Sequence, residues 1–133
     1  NVGVQNMSIE SLVLVVDDDP QICVMIKRLL ERHGISTIVA NDGYQCETMI
    51  DCENPKLIIL DLHMPQRNGI DTLKIIRQKQ PDMPVIVVTG GGQKSETLNL
   101  ANAKKHGADI LFTKPFENDL FVASVQRCLQ ASN

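Results

Sequence analysis

The chain is poor in aromatic residues: its 133 residues include three Phe, one Tyr and no Trp. Since hydrophobic residues nevertheless make up 43% of the chain, the core must be mainly aliphatic, as in parallel α/β sheets. Positive charge is also scarce, because there are 13 Lys and Arg against 16 Asp and Glu, a formal net charge of −3. This balance argues against a protein that binds nucleic acid by electrostatic attraction.

Long apolar runs and metal-binding cysteine spacings are missing as well. No stretch approaches the roughly 20 apolar residues of a membrane-spanning helix, and no signal-peptide pattern opens the sequence. The four cysteines show no CxxC or other metal-binding spacing: Cys23, Cys46, Cys52 and Cys128. We therefore expect them to be reduced thiols in a cytoplasmic protein. Residues 1–10 show no periodicity, and we expect a disordered tail or vector-derived remnant there, followed by one domain over 11–133.

Apolar runs typical of strands alternate with helical patterns five times. The predicted strands are 12–16, 35–40, 57–60, 85–88 and 109–113. The predicted helices run from Pro20 to about His33, from a turn at 41–43 to about Cys52, and over about 69–79, 95–106 and 117–130. This alternation predicts an α/β domain in which helices cover both faces of a parallel sheet. The segment 35–40 is less apolar than the other strands, so we expect it at an edge of the sheet.

Acidic residues follow two of the predicted strands. Asp17, Asp18 and Asp19 come directly after the first strand, and Asp61 comes directly after 57–60. Open α/β sheets bind ligands at the carboxyl ends of their strands, and adjacent carboxylates repel each other unless a cation holds them. The pattern favours a site for a hard metal ion with oxygen ligands. The alternative is a solvated turn in which Asp19 caps the next helix, with Asp61 as the polar end of a strand.

Four motifs at the ends of predicted strands resemble the receiver domain of two-component response regulators. They are Val16-Asp17-Asp18-Asp19-Pro20, Leu60-Asp61-Leu62-His63-Met64-Pro65 with Asn68-Gly69, Val88-Thr89-Gly90, and Thr113-Lys114-Pro115-Phe116. Their order and spacing extend the resemblance over residues 11–131. It implies a three-layer (βα)5 fold of the flavodoxin-like type, doubly wound around a five-stranded parallel sheet with strand order 2-1-3-4-5.

The resemblance also implies a role for each matching residue. Asp61 would accept a phosphoryl group and contribute to a site for Mg²⁺ or Mn²⁺. Asp18 would bind the metal directly, whereas Asp17 would act through water or hydrogen bonds. The main-chain carbonyl of His63 would be a further metal ligand.

Three more residues would hold the phosphoryl group. Thr89 would donate its hydroxyl, Gly90 would offer main-chain N–H, and Lys114 would pair first with the carboxylate and then with the phosphoryl oxygens. The Lys114–Pro115 peptide would be cis, which only an X–Pro bond adopts at low cost. These roles fit the chemistry, because a carboxylate that attacks a phosphoryl group needs positive charge to offset the repulsion between two anions.

The implied function is a signalling switch. A sensor histidine kinase or phosphotransfer protein would pass a phosphoryl group from phosphohistidine to Asp61, and an altered surface would then act on an output protein or output domain. The domain would catalyse its own phosphorylation and dephosphorylation without being a metabolic enzyme. No membrane and no direct nucleic-acid contact are expected for it.

Three other functions stay open on the same residues. A Mg²⁺-dependent phosphohydrolase with an Asp nucleophile usually offers a second acid two residues later, where this chain has His63. A scaffold of the same fold would act without phosphorylation, although the set of acidic, hydroxyl and lysine residues argues against it. A flavin-binding module of this topology is disfavoured by the scarcity of aromatic residues.

Two features depart from the family pattern. Many receivers carry Tyr or Phe three residues before the lysine, where this chain has Leu111, so the usual aromatic rotamer switch is missing. Phe112 should face the other side of its strand, because side chains alternate along a strand. The segment after Thr89 is also longer than in most relatives, and Gly90-Gly91-Gly92-Gln93 carries the extra length. We expect this glycine loop to be mobile and to become ordered on phosphorylation.

Overall fold

Strands and helices alternate along the chain, as the sequence predicts. The structure is a computed structural model that describes residues 12–62, 69–90 and 101–131. Its strands are β1 (Val13–Val16), β2 (Thr37–Ala40), β3 (Leu57–Asp61), β4 (Val85–Gly90) and β5 (Ile110–Lys114). Its helices are α1 (Pro20–Glu31), α2 (Gly43–Glu53), α3 (Gly69–Lys79), the helical residues 101–105, here called α4, and α5 (Asn118–Ala131).

The five strands form one parallel sheet in the order β2-β1-β3-β4-β5. The predicted fold class and strand order are therefore confirmed, and β2 lies at an edge as expected. Strands β1 and β3 lie inside the sheet, and every residue in them is buried. Burial on both faces explains why these two strands are continuous apolar runs without polar alternation.

The core consists of two layers, one on each face of the sheet. On one face, alternate residues of β1 and β3 pack with α1 and α5. On the other face, the intervening residues of the same strands pack with α2, α3 and Ala103 of α4. The alternation of side chains along each strand thus gives every helix an apolar surface on which to pack.

Helix α1 begins as the sequence predicts. The Asp19 carboxylate accepts a hydrogen bond from the main-chain N–H of Gln21 at 2.9 Å, and Pro20 occupies the first helical turn. The helix ends at Glu31, two residues before the predicted end. The chain then turns at Gly34, where φ is +76°, a left-handed conformation that glycine adopts without strain.

Three strands run further than the apolar pattern indicates. Asp61 is the last residue of β3, Gly90 ends β4 two residues beyond the predicted 85–88, and Lys114 is the last residue of β5 rather than part of the following loop. Strand β2 is shorter than predicted, because it starts at Thr37. Strand limits depend on main-chain hydrogen bonding to the neighbouring strand, which hydrophobicity does not report.

The two faces of β5 differ in character. Leu111 packs with the layer formed by α2, α3 and α4, and Phe112 packs with the layer formed by α1 and α5. The prediction that these side chains point to opposite faces is therefore confirmed.

Arg77 joins three segments at the amino-terminal end of the strands. Its guanidinium donates to the carbonyls of Met83 at 2.6 Å and Gly107 at 3.1 Å, and it pairs with Asp109 at 3.0 Å. The same Asp109 oxygen accepts the N–H of Val85 at 2.8 Å. This one side chain ties the end of α3 to the starts of β4 and β5.

Several expectations concern membrane, redox and terminal features. All four cysteines are free thiols. Among the described residues, no helix has both the length and the apolar character needed to cross a bilayer. The expected tail over 1–10, the start of the predicted helix 95–106 and the glycine loop beyond Gly90 lie outside the described residues.

Candidate functional site

The register of β1 and β3 brings the first two acidic positions side by side. Val16 pairs with Leu60 across the two parallel strands. The residue after each of these is an aspartate, so Asp17, just beyond β1, and Asp61, at the end of β3, lie level at the carboxyl end of the sheet. Both side chains are almost inaccessible, with Asp17 3% and Asp61 5% exposed.

Strands β4 and β5 complete the row of strand ends. Asp61 pairs with Val88, which places Thr89 one residue beyond it. Gly90 pairs with Lys114 across β4 and β5. Four neighbouring strands therefore present carboxylate, hydroxyl and ammonium groups to one crevice, the usual ligand position of an open parallel sheet.

Three carboxylates converge in this crevice. Oxygen atoms of Asp17, Asp18 and Asp61 all lie within 4.8 Å of one another. Asp18 is exposed, whereas the other two are buried. Because like charges this close are unfavourable without a counter-ion, the group suits a divalent cation with oxygen ligands.

The side chain and main chain of Asp17 both take part in hydrogen bonds, and its carboxylate also forms an ion pair. Its Oδ1 accepts the N–H of Asp19 at 2.9 Å, and its Oδ2 lies 3.2 Å from the ammonium of Lys114. Its main-chain carbonyl accepts the thiol of Cys23 at 3.3 Å, and its N–H donates to the carbonyl of Ala40 at 3.1 Å. The side chain is thus fixed in place, and both of its oxygens already have protein partners.

Asp18 has the opposite character. Within the described part of the chain its carboxylate makes no hydrogen bond or ion pair, and it is exposed to solvent. An exposed carboxylate beside two buried ones is the member of the group that can most readily turn towards an incoming cation.

Thr89 offers a hydroxyl with a weak internal partner. The residue is fully buried, and its Oγ1 donates to the carbonyl of Gly90 at 3.5 Å, near the upper limit for a hydrogen bond. A stronger acceptor in the crevice, such as a phosphoryl oxygen, would readily replace this contact.

Lys114 closes the crevice from β5. Its side chain is 25% exposed and forms an ion pair with the buried carboxylate of Asp17. The Lys114–Pro115 peptide is cis, as the resemblance implies. A lysine paired with one acid of the crevice leaves the three carboxylates with a net negative charge.

Gly69 packs closely against the main chain of Asp61 and Leu62. The first residue of α3 donates its N–H to the carbonyl of Leu62 at 3.0 Å. A Cβ at Gly69 would lie 2.3 Å from the Cα of Leu62 and 2.7 Å from the carbonyl oxygen of Asp61. The absence of a side chain therefore lets α3 begin directly against the end of β3, a requirement that the sequence motif contains but does not explain.

Cys23 lies beneath the crevice on α1. Burial, and then the negative charges of Asp17 and Asp19, raise the pKa of its thiol from the ordinary value of 9.0 to about 11. The protonated thiol is therefore retained as a donor to Asp17 at neutral pH. The sequence predicts only a reduced thiol at this position, because no spacing pattern indicates its contact with Asp17.

The structure brings together five residues that the sequence proposes for the site: Asp17, Asp18, Asp61, Thr89 and Lys114. Gly90 lies beside them as the exposed last residue of β4. The carbonyl of His63, proposed as a metal ligand, lies outside the described residues.

Comparison with known proteins identifies the family. A family model described as the response regulator receiver domain matches residues 13–126. The chain belongs to the response regulator receiver domain family. The receiver domain of two-component response regulators is a module of signal transduction, and its relatives are signalling proteins, not metabolic enzymes.

Individual relatives agree with this assignment. The receiver domain is 39% identical over 121 residues to the transcriptional regulatory protein CpxR of Escherichia coli K12, covering 91% of this chain and 50% of that protein. It is 35% identical over 118 residues to the DNA-binding response regulator MtrA of Mycolicibacterium smegmatis, covering 89% and 50%. The chain thus spans about half the length of the curated relatives it matches.

Solved structures show the same fold. The receiver domain of the Francisella response regulator 1452 superposes with a TM-score of 0.81 at 33% identity, covering 92% of this chain and 99% of that one. A CheY-like receiver domain protein of Methanospirillum hungatei JF-1 gives 0.83 at 25% identity, covering 92% and 95%.

Proposed function

We propose that this receiver domain is a phosphorylation-controlled switch in which Asp61 accepts a phosphoryl group from a phosphohistidine. The observation that carries the proposal is the convergence of three carboxylates within 4.8 Å, with the Lys114 ammonium 3.2 Å from one of them. The donor is a sensor histidine kinase or a phosphotransfer protein. The output is a change in the surface offered to a partner protein or to a further domain of a longer chain.

Asp61 is the most suitable acceptor of the three acids. The bonds of Asp17 occupy both of its oxygens, and Asp18 is exposed to water, where an acyl phosphate would be hydrolysed most easily. Asp61 is 5% exposed and lies between the two neighbouring strand ends that carry Asp17 and Thr89. A phosphoryl group on Asp61 would therefore be flanked by the hydroxyl on one side and the acidic pair on the other.

The transfer step forms one bond and breaks one. A lone pair of an Asp61 carboxylate oxygen attacks phosphorus, and the P–O bond forms as the P–N bond of phosphohistidine breaks. The bonding pair of the P–N bond returns to the imidazole nitrogen. Because the other ring nitrogen of the donor carries a proton, the leaving group is neutral histidine. The product is an aspartyl phosphate.

The residues present fit a divalent cation such as Mg²⁺. Asp18 and Asp61 would hold it, and Asp17 would act as a fixed neighbour through water, because its oxygens are already bonded. When bound, the cation would supply positive charge that offsets the repulsion between carboxylate and phosphoryl oxygens. Lys114 would add its own charge to the phosphoryl oxygens, and Thr89 its hydroxyl.

Intact-mass measurement after incubation with a small phosphoramidate tests this proposal. Wild-type protein with Mg²⁺ should gain the mass of one phosphoryl group, and addition of a chelator should prevent the gain. Asp61→Asn should remove it, while Asp82→Asn, at an exposed turn residue away from the crevice, should leave it intact. Full labelling of Asp61→Asn, or labelling that persists with chelator, would contradict the assignment.

A further inference from the structure

The three phenylalanines of the chain lie in one cluster beside the crevice. The rings of Phe116 and Phe121 stack with centroids 4.5 Å apart. Phe112 meets them with centroid distances of 5.7 and 5.4 Å. Phe121 is fully buried, so the cluster is anchored on α5 and reaches the surface through Phe116.

The cluster occupies only one face of the sheet. All three rings belong to the layer formed with α1 and α5, whereas the other face of β5 carries Leu111. Any rearrangement of the three phenylalanine rings therefore takes place on the side of α1 and α5.

Lys114 connects the crevice with this side of the molecule. Its ammonium pairs with Asp17, and its side chain also lines a cavity of about 350 Å³ between α1 and the start of α5. The other residues around this cavity are Ile22, Met25, Pro115, Phe116 and Asn118. The same lysine thus borders both the acidic crevice and open space next to Phe116.

We propose that Phe116 is a positioning residue for Lys114, and that the phenylalanine cluster transmits a movement of this lysine to the cavity beside α1. The inference rests on the proposed phosphorylation of Asp61. A phosphoryl group would add about 1.5–2 negative charges to the crevice and draw the ammonium away from Asp17. Lys114, Pro115 and Phe116 line the same cavity, so a movement of the lysine side chain changes the surroundings of the ring.

The packing favours a discrete response. Phe116 is stacked on a fully buried ring and also borders open volume. Closely packed groups rearrange between separate arrangements because they do not deform continuously. When the lysine moves, the Phe116 ring can therefore shift into the open volume beside it, and this shift changes the shape of the cavity.

Fluorine NMR of protein labelled with fluorophenylalanine tests the inference. Because the chain contains only three Phe, every resonance reports on the cluster. The single tyrosine, Tyr44, is 55% exposed on α2 and provides a control when it is labelled with fluorotyrosine instead. Comparison with Phe116→Leu assigns the Phe116 resonance.

Two perturbations separate this inference from the proposed function. Phosphoramidate with Mg²⁺ should move the Phe116 resonance in step with the mass gain, and leave that of Tyr44 in place. Asp17→Asn removes the ion-pair partner of Lys114 without any phosphate, and should also move the Phe116 resonance. If the mass gain appears while the Phe116 resonance stays unchanged, or if Asp17→Asn leaves it unchanged, the inference is wrong. If no mass gain appears but Asp17→Asn moves the resonance, the proposed function fails and the coupling stands.

The positioning role has its own readout. Phe116→Ala should slow labelling of Asp61 several-fold at saturating Mg²⁺, and Phe116→Tyr, which keeps the ring, should restore the rate. A purely structural residue would instead lower the melting temperature without this pattern of rescue. Equal labelling rates for the alanine variant and wild type would overturn the assignment.

Discussion

Replacing Asp18 by Asn should stabilise the metal-free protein. The side chain of Asp18 lies within 4.8 Å of the Asp17 and Asp61 carboxylates, and the ammonium of Lys114 forms an ion pair with Asp17. Within the described residues Asp18 makes no hydrogen bond that the change would break. Asn has nearly the same shape without the charge, so the main effect should be the removal of repulsion.

The size of the effect follows from the distance. Two unit charges 4.8 Å apart repel by about 3.5 kcal/mol at an effective dielectric constant near 20, and by about 0.9 kcal/mol in water. Because Asp18 is exposed, solvent and salt screening favour the lower figure. We therefore expect a gain of about 1 kcal/mol, or about 3–5 °C in melting temperature for a domain of this size.

A divalent cation should reverse the order of stability. A ligand present at a hundred times its dissociation constant stabilises the folded state by about 2.7 kcal/mol. Wild-type protein should gain this with saturating Mg²⁺, whereas Asp18→Asn should gain much less because it lacks one ligand. The variant should thus melt above wild type in EDTA and below it in Mg²⁺.

Thermal unfolding followed by circular dichroism, with and without Mg²⁺, measures both effects. Asp82→Asn removes an exposed acidic charge outside the crevice. It should change the free energy of unfolding by no more than about 0.5 kcal/mol, with or without Mg²⁺. A melting temperature of Asp18→Asn below that of wild type in EDTA, or an equal rise of both melting temperatures with Mg²⁺, would contradict a repulsive, metal-binding role of Asp18.

Three further predictions concern the surroundings of the crevice. Gly69→Ala should cost about 1–3 kcal/mol in denaturant unfolding, because its Cβ would meet main-chain atoms at 2.3 and 2.7 Å, whereas Gly90→Ala, with nothing within 4 Å, should cost little. Arg77→Lys should destabilise the protein by about 1–3 kcal/mol, because lysine cannot replace the forked contacts, and unchanged unfolding would show those contacts to be dispensable. The pKa of the Cys23 thiol is about 11 in the folded protein against an ordinary 9.0, so the unfolded chain loses this proton at lower pH. The contribution of the protonated thiol to stability is therefore full below pH 9 and should fall as the pH rises towards 11. Cys23→Ala should remove that part of the pH dependence. The exposed Cys52 should react with iodoacetamide well before the buried Cys23, and equal reactivity of the two thiols would contradict the burial of Cys23.

The sequence by itself determines the order of the elements. Apolar runs ending in polar residues, and helical patterns between them, predict a parallel sheet and the strand ends that carry Asp17, Asp61, Thr89 and Lys114. The strand order comes from the resemblance of the four motifs to receiver domains. The physical reason is local: side-chain periodicity and capping residues such as Asp19 depend on nearest neighbours along the chain. A parallel sheet then brings all carboxyl ends to one edge, so the members of the site follow from the topology.

Only the tertiary structure decides how these members differ. Asp17 and Asp18 are adjacent and chemically identical, yet one is buried in hydrogen bonds from Asp19, Cys23 and Lys114 while the other is exposed. Two of the partners of Asp17, Cys23 on α1 and Lys114 on β5, are 6 and 97 positions away along the chain. No local pattern encodes such contacts, because they depend on which elements pack against each other.

The same holds for Gly69 and the phenylalanine cluster. The sequence marks Gly69 as the beginning of a helix, but the need for a missing side chain arises from the approach of α3 to the end of β3. Alternation along β5 predicts that Phe112 faces away from Leu111, whereas its contact with Phe121 exists only once α5 packs on the sheet. Sequence therefore specifies which groups reach the crevice, and packing between distant segments specifies which of them is fixed, which is exposed and which borders the cavity beside α1.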